Sequence, residues 1–166
     1  NTAPTVLNYP FSVGIWINLA AGKSVPSVIW SLSNVATSTD YFELRMTAAS
    51  TFMMVTRESG NVEQQVQIGP ANTAPVSKWH FLLARFIASN NRRGASILHT
   101  GVVTAGSSTA NRIPAGLNVM MMGAVSTSLG LFDNLTSAPW NGQIAEWWIA
   151  NSDAYPSANK NPDQNF

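Results

Sequence analysis

The stretch Phe11-Ser12-Val13-Gly14-Ile15-Trp16-Ile17-Asn18-Leu19 decides the fold. Its apolar residues Phe11, Val13, Ile15, Ile17 and Leu19 fall on every second position, with Ser12, Gly14, Trp16 and Asn18 between them. Successive side chains of an extended chain point to opposite faces, so a period of two predicts a strand with one face in a core.

Outward from it the pattern recurs. Strands are expected at 28–32, 41–46, 52–57 and 62–68, each bounded by turn formers. In the last of these, Val62, Val66 and Ile68 share one side and Glu63, Gln65 and Gln67 the other. Segment 79–87 is apolar on both alternating sets, with Trp79, Phe81, Leu83 and Ile87 against Leu82, Ala84 and Phe86, as in a central strand covered on both faces. Asn90-Asn91-Arg92-Arg93-Gly94 predicts the turn of a hairpin resuming as a strand at 95–99, and Gly101 permits another turn. Strands at 117–123 and 143–150 bring the set to about nine, with 124–141 between them expected as a loop. No stretch carries a helical period with caps, and there is no repeat, linker or heptad. Many short strands spaced by Gly, Pro and Asn predict an all-β fold, an antiparallel two-sheet β-sandwich of jelly-roll type. At 166 residues the chain suits one domain, expected over 1–155, with 156–166 as an irregular C-terminal extension.

Apolar residues make up 45% and charged residues only 10%, where a quarter is usual. The surface must be polar but largely uncharged, which suits neutral partners such as sugars, or protein neighbours in a permanent assembly. Nine Lys and Arg against eight Asp and Glu leave no basic stripe for phosphates, so no nucleic-acid partner is expected. The strongest apolar run, 81–87, is interrupted by Arg85 and far too short to span a bilayer, so no membrane partner is expected either. The absence of cysteine excludes disulfides, thiolate catalysis and Cys-based zinc sites.

Five segments occur in a telling order: 11–17, Tyr41-Phe42-Glu43-Leu44-Arg45, Trp79-His80-Phe81-Leu82-Leu83, 95–101, and Trp140-Asn141-Gly142-Gln143-Ile144-Ala145-Glu146. Together, over about 9–155, they resemble the concanavalin A-like, laminin-G-like jelly-roll family, whose members include phage virion proteins. The resemblance implies two packed sheets of about six or seven strands each, and a repertoire of sugar binding, protein binding and, in some branches, glycoside hydrolysis. His99-Thr100-Gly101 stands where relatives often place Asp before the hairpin glycine.

Hydrolases of this family resemble one another in a Glu-x-Asp-x-x-Glu strand, whose alternation aligns nucleophile and general acid. The eight acids here have no such spacing; only Asp40 and Glu43 lie within four residues of each other. Glu43 next to Arg45 reads as a surface ion pair. His80 reads as structural and His99 as the end of a strand. No catalytic residue is expected, no cofactor, and no enzyme activity. For calcium only Asp133 and Asn134, with Asp40, offer oxygens, and an Asx turn accounts for them, so no metal is expected.

The aromatics give the binding candidates. Trp147 and Trp148 are adjacent in a strand and must point to opposite faces, while Trp16 lies opposite the apolar set of its strand. An exposed tryptophan can stack on a sugar or anchor a protein. Trp16, Trp140, Trp147, Trp148 and Asn141 are therefore the candidate binding residues. The methionines 120–122, with Met53 and Met54, read as adaptable core filling. The expected role is a non-catalytic structural module on a virion surface, as a decoration or tail protein in a homo-oligomer or capsid, with a carbohydrate-binding, lectin-like module as the alternative. The expected location is virion or extracellular.

Overall fold

The computed structural model describes residues 10–20, 27–37, 39–47, 51–58, 63–68, 77–88, 91–97, 103–108, 114–123, 126–127, 130–131, 138–139 and 142–151. Every element among them is a strand, and the strands form two main sheets and one two-stranded ribbon. The first sheet is built from β1 (Phe11–Leu19), β6 (Trp79–Ala88), β7 (Asn91–Ile97), β8 (Val103–Ser108) and β13 (Gly142–Ala150), in the order β13-β1-β6-β7-β8. The second takes β2 (Ser27–Ser33), β3 (Tyr41–Met46), β4 (Phe52–Arg57), β5 (Gln64–Ile68), β9 (Val119–Met122) and the two-residue β12 (Ala138–Pro139). Its order is β2-β3-β4-β5, with β9 antiparallel and β12 parallel along the free edge of β2. A two-residue pair, β10 (Ser126–Thr127) and β11 (Gly130–Leu131), stands apart.

The alternation of β1 works as its sequence dictates. Phe11, Val13, Ile15, Ile17 and Leu19 are all buried. They meet Phe86, Ala84, Leu82 and His80 on β6 and face Trp30, Leu32, Phe42, Leu44, Met46, Phe52 and Met54 of the other sheet in one core. Phe11 stacks on Phe86 at 4.4 Å between ring centres, and Phe42 meets both edge-on, the geometry that ring quadrupoles favour. Met120 and Met122 pack against this core from β9. His80 is buried with its ring against Phe52, a structural placement. β6 is covered on both faces, since Phe81 and Leu83 are as buried as Leu82 and Ala84.

Five expectations change. The sheets hold five and six strands. The chain turns before Asn91, and Arg92, Arg93 and Gly94 belong to β7 opposite Phe86, Arg85 and Ala84. Backbone pairing is open to any residue with an N–H, so the turn preference of Asn and Gly gave way to the ladder. β8, Val103-Thr104-Ala105-Gly106-Ser107-Ser108, has too few apolar residues to announce itself, and the 124–141 stretch contributes β10, β11 and β12. The expected strand 62–68 is observed from Gln64, with Gln65 and Gln67 exposed. No helix among the described residues is long and apolar enough to cross a membrane. The extension 156–166 lies outside the described residues.

Candidate functional site

On β3, Phe42, Leu44 and Met46 enter the core, so Tyr41, Glu43 and Arg45 point to the outer face of the six-stranded sheet. Register adds Ser31 beside Glu43 from β2, and Arg57, Val55 and Met53 opposite Tyr41, Glu43 and Arg45 from β4. Gln65 and Gln67 stand beyond Val55 and Met53 on β5. The expected surface ion pair is in fact buried: Glu43 is 1% exposed and Arg45 8%. Alternation assigned the right face but could not tell that this face is covered.

Arg45 is the hub. Its Nε and Nη2 donate to Glu43 Oε2 at 2.9 and 2.5 Å, and its Nη1 and Nη2 donate to the two oxygens of Glu63 at 3.2 and 2.9 Å. Tyr41 donates its hydroxyl proton to Glu63 Oε1, and Gln65 Nε2 donates to Glu63 Oε2 at 2.9 Å. Arg57 is the register partner of Tyr41, and its Nε is buried without a hydrogen-bond partner among the described residues. Two carboxylates twenty residues apart in sequence thus meet on one guanidinium, a convergence that no spacing motif reveals.

Their protonation is driven apart. Burial pushes the Glu43 carboxyl up by more than the charge and hydrogen bonds of Arg45 pull it down, and the nearby charge of Glu63 adds to the rise. Burial also pulls Glu63 upward, but hydrogen bonds from Arg45 and Tyr41, the Arg45 charge and the Gln65 bond outweigh it and hold it below the usual carboxylate range. The Tyr41 hydroxyl is raised by burial and by the charges of Glu43 and Glu63. Burial works against the charge of Arg45, but the two carboxylates raise its proton affinity further. Acids pushed apart in this way suggest an acid and base pair. The geometry offers neither role, since Glu43 is sealed from solvent and Glu63 accepts four hydrogen bonds.

The outer face of the other sheet carries the tryptophans. Trp16 lies against Phe81 at 5.4 Å between ring centres, and Trp148 neighbours the same ring at 6.5 Å. Trp148 sits over Gly14, its register partner, so closely that a Cβ there would meet the indole Cε2 at 2.4 Å. Trp16 and Trp148 are therefore half-buried packing partners rather than free stacking platforms. Trp147 is the exposed member of the pair, 45% accessible on the edge strand β13. Between them and Ala145 the register slips by one residue at Glu146, whose φ of 38° marks a bulge.

Trp140, Asn141, Asp133 and Asn134 lie outside the described residues. Asp40 is occupied otherwise: its carboxylate accepts from the hydroxyls of Thr37 and Thr39 and from the Ala115 amide, bracing the 34–40 loop against 115–118. Among the described residues no group of three or more His, Asp or Glu could hold a metal ion.

No protein-family model and no curated protein matches this sequence. Solved structures do match. The carbohydrate-binding module CBM40 of the Ruminococcus gnavus IT-sialidase, bound to α2,3-sialyllactose, superposes with a TM-score of 0.67 at 12% identity, over 86% of this chain and 76% of that one. The heptameric SAP-like pentraxin of Limulus polyphemus gives 0.64 at 12% identity, over 93% and 69%. Domains LG4-5 of the mouse laminin α1 chain give 0.63 at 13% identity, over 89% of this chain and 37% of that one. The fold is the concanavalin A-like jelly-roll sandwich.

Proposed function

We propose that the chain is a non-catalytic carbohydrate-binding module that holds a glycan on the outer face of its six-stranded sheet. The carrying observation is the Tyr41–Glu43–Arg45–Glu63–Gln65 network. In a chain with so little charge, two carboxylates and a guanidinium are gathered on one sheet face and locked in fixed geometry. Replacing such a buried group with apolar residues is often neutral or stabilising, so stability gives no reason to keep it. Recognition does, because a polyol is selected by polar groups already aimed at its hydroxyls. Exposed Gln65 and Gln67 would contact the sugar directly, with Gln65 oriented from beneath by Glu63, which Arg45 holds. The matched module bound to sialyllactose supports the class of ligand, whereas virion location and homo-oligomeric assembly rest on composition and the family resemblance alone. The inaccessible Glu43 supports the non-catalytic reading, since glycoside hydrolysis needs two carboxyl groups flanking the scissile bond.

Isothermal titration of lactose and 3′-sialyllactose into the protein, preceded by a glycan array, tests the reading. We expect a dissociation constant between about 1 μM and 1 mM for at least one glycan. Gln65→Ala and Arg45→Lys should each weaken it about ten-fold with the fold intact, as loss of one oriented polar contact requires. No glycan bound on the array, or affinity untouched by both substitutions, refutes the proposal.

A further inference from the structure

The far end of the five-stranded sheet carries a separate polar site. Where β1 and β13 finish, Asn18 and Gln143 are register partners, and Asn18 Nδ2 donates to Gln143 Oε1 at 3.3 Å. Both belong to the outer face, in line with Trp16 and Trp148. Their amides border an open cavity of about 400 Å³ walled by Asn18, Leu19, Ala20, Ser77, Gly142 and Gln143. That volume is within the range of small-ligand sites.

Three features say what would enter. Among the described residues the wall holds no ionisable side chain; the polar side-chain groups it presents there are two carboxamides and one hydroxyl. Two carboxamides offer four N–H donors and two carbonyl oxygens, and the bond between them uses one of each, so the pair can donate to and accept from neighbouring hydroxyls. Ser77 is held with φ at 56°, a left-handed conformation uncommon for serine, by its amide N–H donating to the Leu19 carbonyl at 2.8 Å. Strain of this kind persists only where the surroundings impose it, and it clusters at ligand sites. Finally, half-buried Trp79 is the register partner of Asn18 on β6, so an aromatic side chain shares the sheet face of the amide row.

We infer that this cavity is a second subsite, for an uncharged hexose unit, separate from the Arg45 face. The amides bind hydroxyls, and no described wall residue attracts a carboxylate or phosphate. It does not depend on the function proposed above, because the two sites share no residue.

Lactose, cellotriose and N,N′-diacetylchitobiose titrated into the full chain test it, read by calorimetry and by the side-chain amide signals of a ¹⁵N-labelled sample. At least one sugar should bind with millimolar or better affinity, shifting the Asn18 and Gln143 amide resonances. The Asn18→Ala/Gln143→Ala variant should lose about ten-fold in affinity, the scale of one or two neutral hydrogen bonds. Gln143→Glu, which keeps the size and removes the N–H donors, should lose about five-fold, and Arg45→Lys should change nothing here. The idea fails if none of the three sugars binds at about 20 mM, or if binding survives both amide changes, or if Arg45→Lys abolishes it equally.

Discussion

The two outer faces of the sandwich solve the same problem in opposite ways. Over the six-stranded sheet the buried layer is ionic: Arg45 spans Glu43 and Glu63, with Tyr41 and Gln65 completing the hydrogen bonds. Over the five-stranded sheet it is aromatic, with Trp16, Phe81 and Trp148 packed above Gly14. The aromatic layer needs shape alone, and it leaves polar work to the Asn18–Gln143 pair at its rim. The ionic layer needs every partner present, because a buried charge without its counter-charge is far costlier than a missing methylene. That the chain covers one face with indoles and still places charge on the other is what the glycan-binding role proposed for that second face would require.

This contrast can be broken at its largest expected effect by Arg45→Ala, which strands Glu43 in the interior beside Glu63. Urea denaturation should show a loss of about 3–5 kcal/mol, the cost of removing one partner of a buried pair. A loss under about 1 kcal/mol would mean that water reaches the network and that it is an ordinary surface pair.

The aromatic face should respond less, and sterically. Gly14→Ala drives a methyl into the Trp148 ring and should cost about 1–3 kcal/mol. In a double-mutant cycle with Trp148→Ala the two changes should be strongly non-additive, because the smaller side chain removes the clash. Simple additivity would show that Trp148 does not rest on Gly14.

The smallest effect, and the sharpest, is in pH. The lowered Glu63 carboxyl contributes stability that is complete above its unfolded value and is lost as pH falls through its folded value. The raised Glu43 carboxyl has the opposite sign, since its contribution is present below its unfolded value and is lost as pH rises through its folded one. Glu63→Gln should therefore be destabilising by about 1–2 kcal/mol at neutral pH, with the deficit shrinking below the ordinary carboxylate range. Glu43→Gln should gain on the parent as pH rises above that range. Parallel stability profiles for the parent and both variants would show that the two carboxylates are not distinguished by burial.

Much of the fold was legible because a core strand cannot conceal its period. β1, β6 and β13 were readable from alternation or from doubled apolar sets, and Tyr41-Phe42-Glu43-Leu44-Arg45 lay in a strand as read. β8 was not, because its small polar residues satisfy the backbone ladder without marking a face. The site was legible only in pieces. Trp147 and Trp148 were bound to point apart, but which ring would be exposed depended on the bulge at Glu146 and on a glycine one strand away. Glu63 was grouped with Gln65 and Gln67 on one side of its strand without any sign that its partner was Arg45.

The sequence by itself determined the all-β class, the faces of the principal strands and the scarcity of charge, because period and composition act through neighbours a few residues away. Only the tertiary structure decided that Glu43 and Arg45 are buried, that Glu63 joins them, and that Asn18 meets Gln143 across 125 positions. Those contacts depend on which strands lie side by side and on what covers each face, and both are set by packing of the whole sandwich.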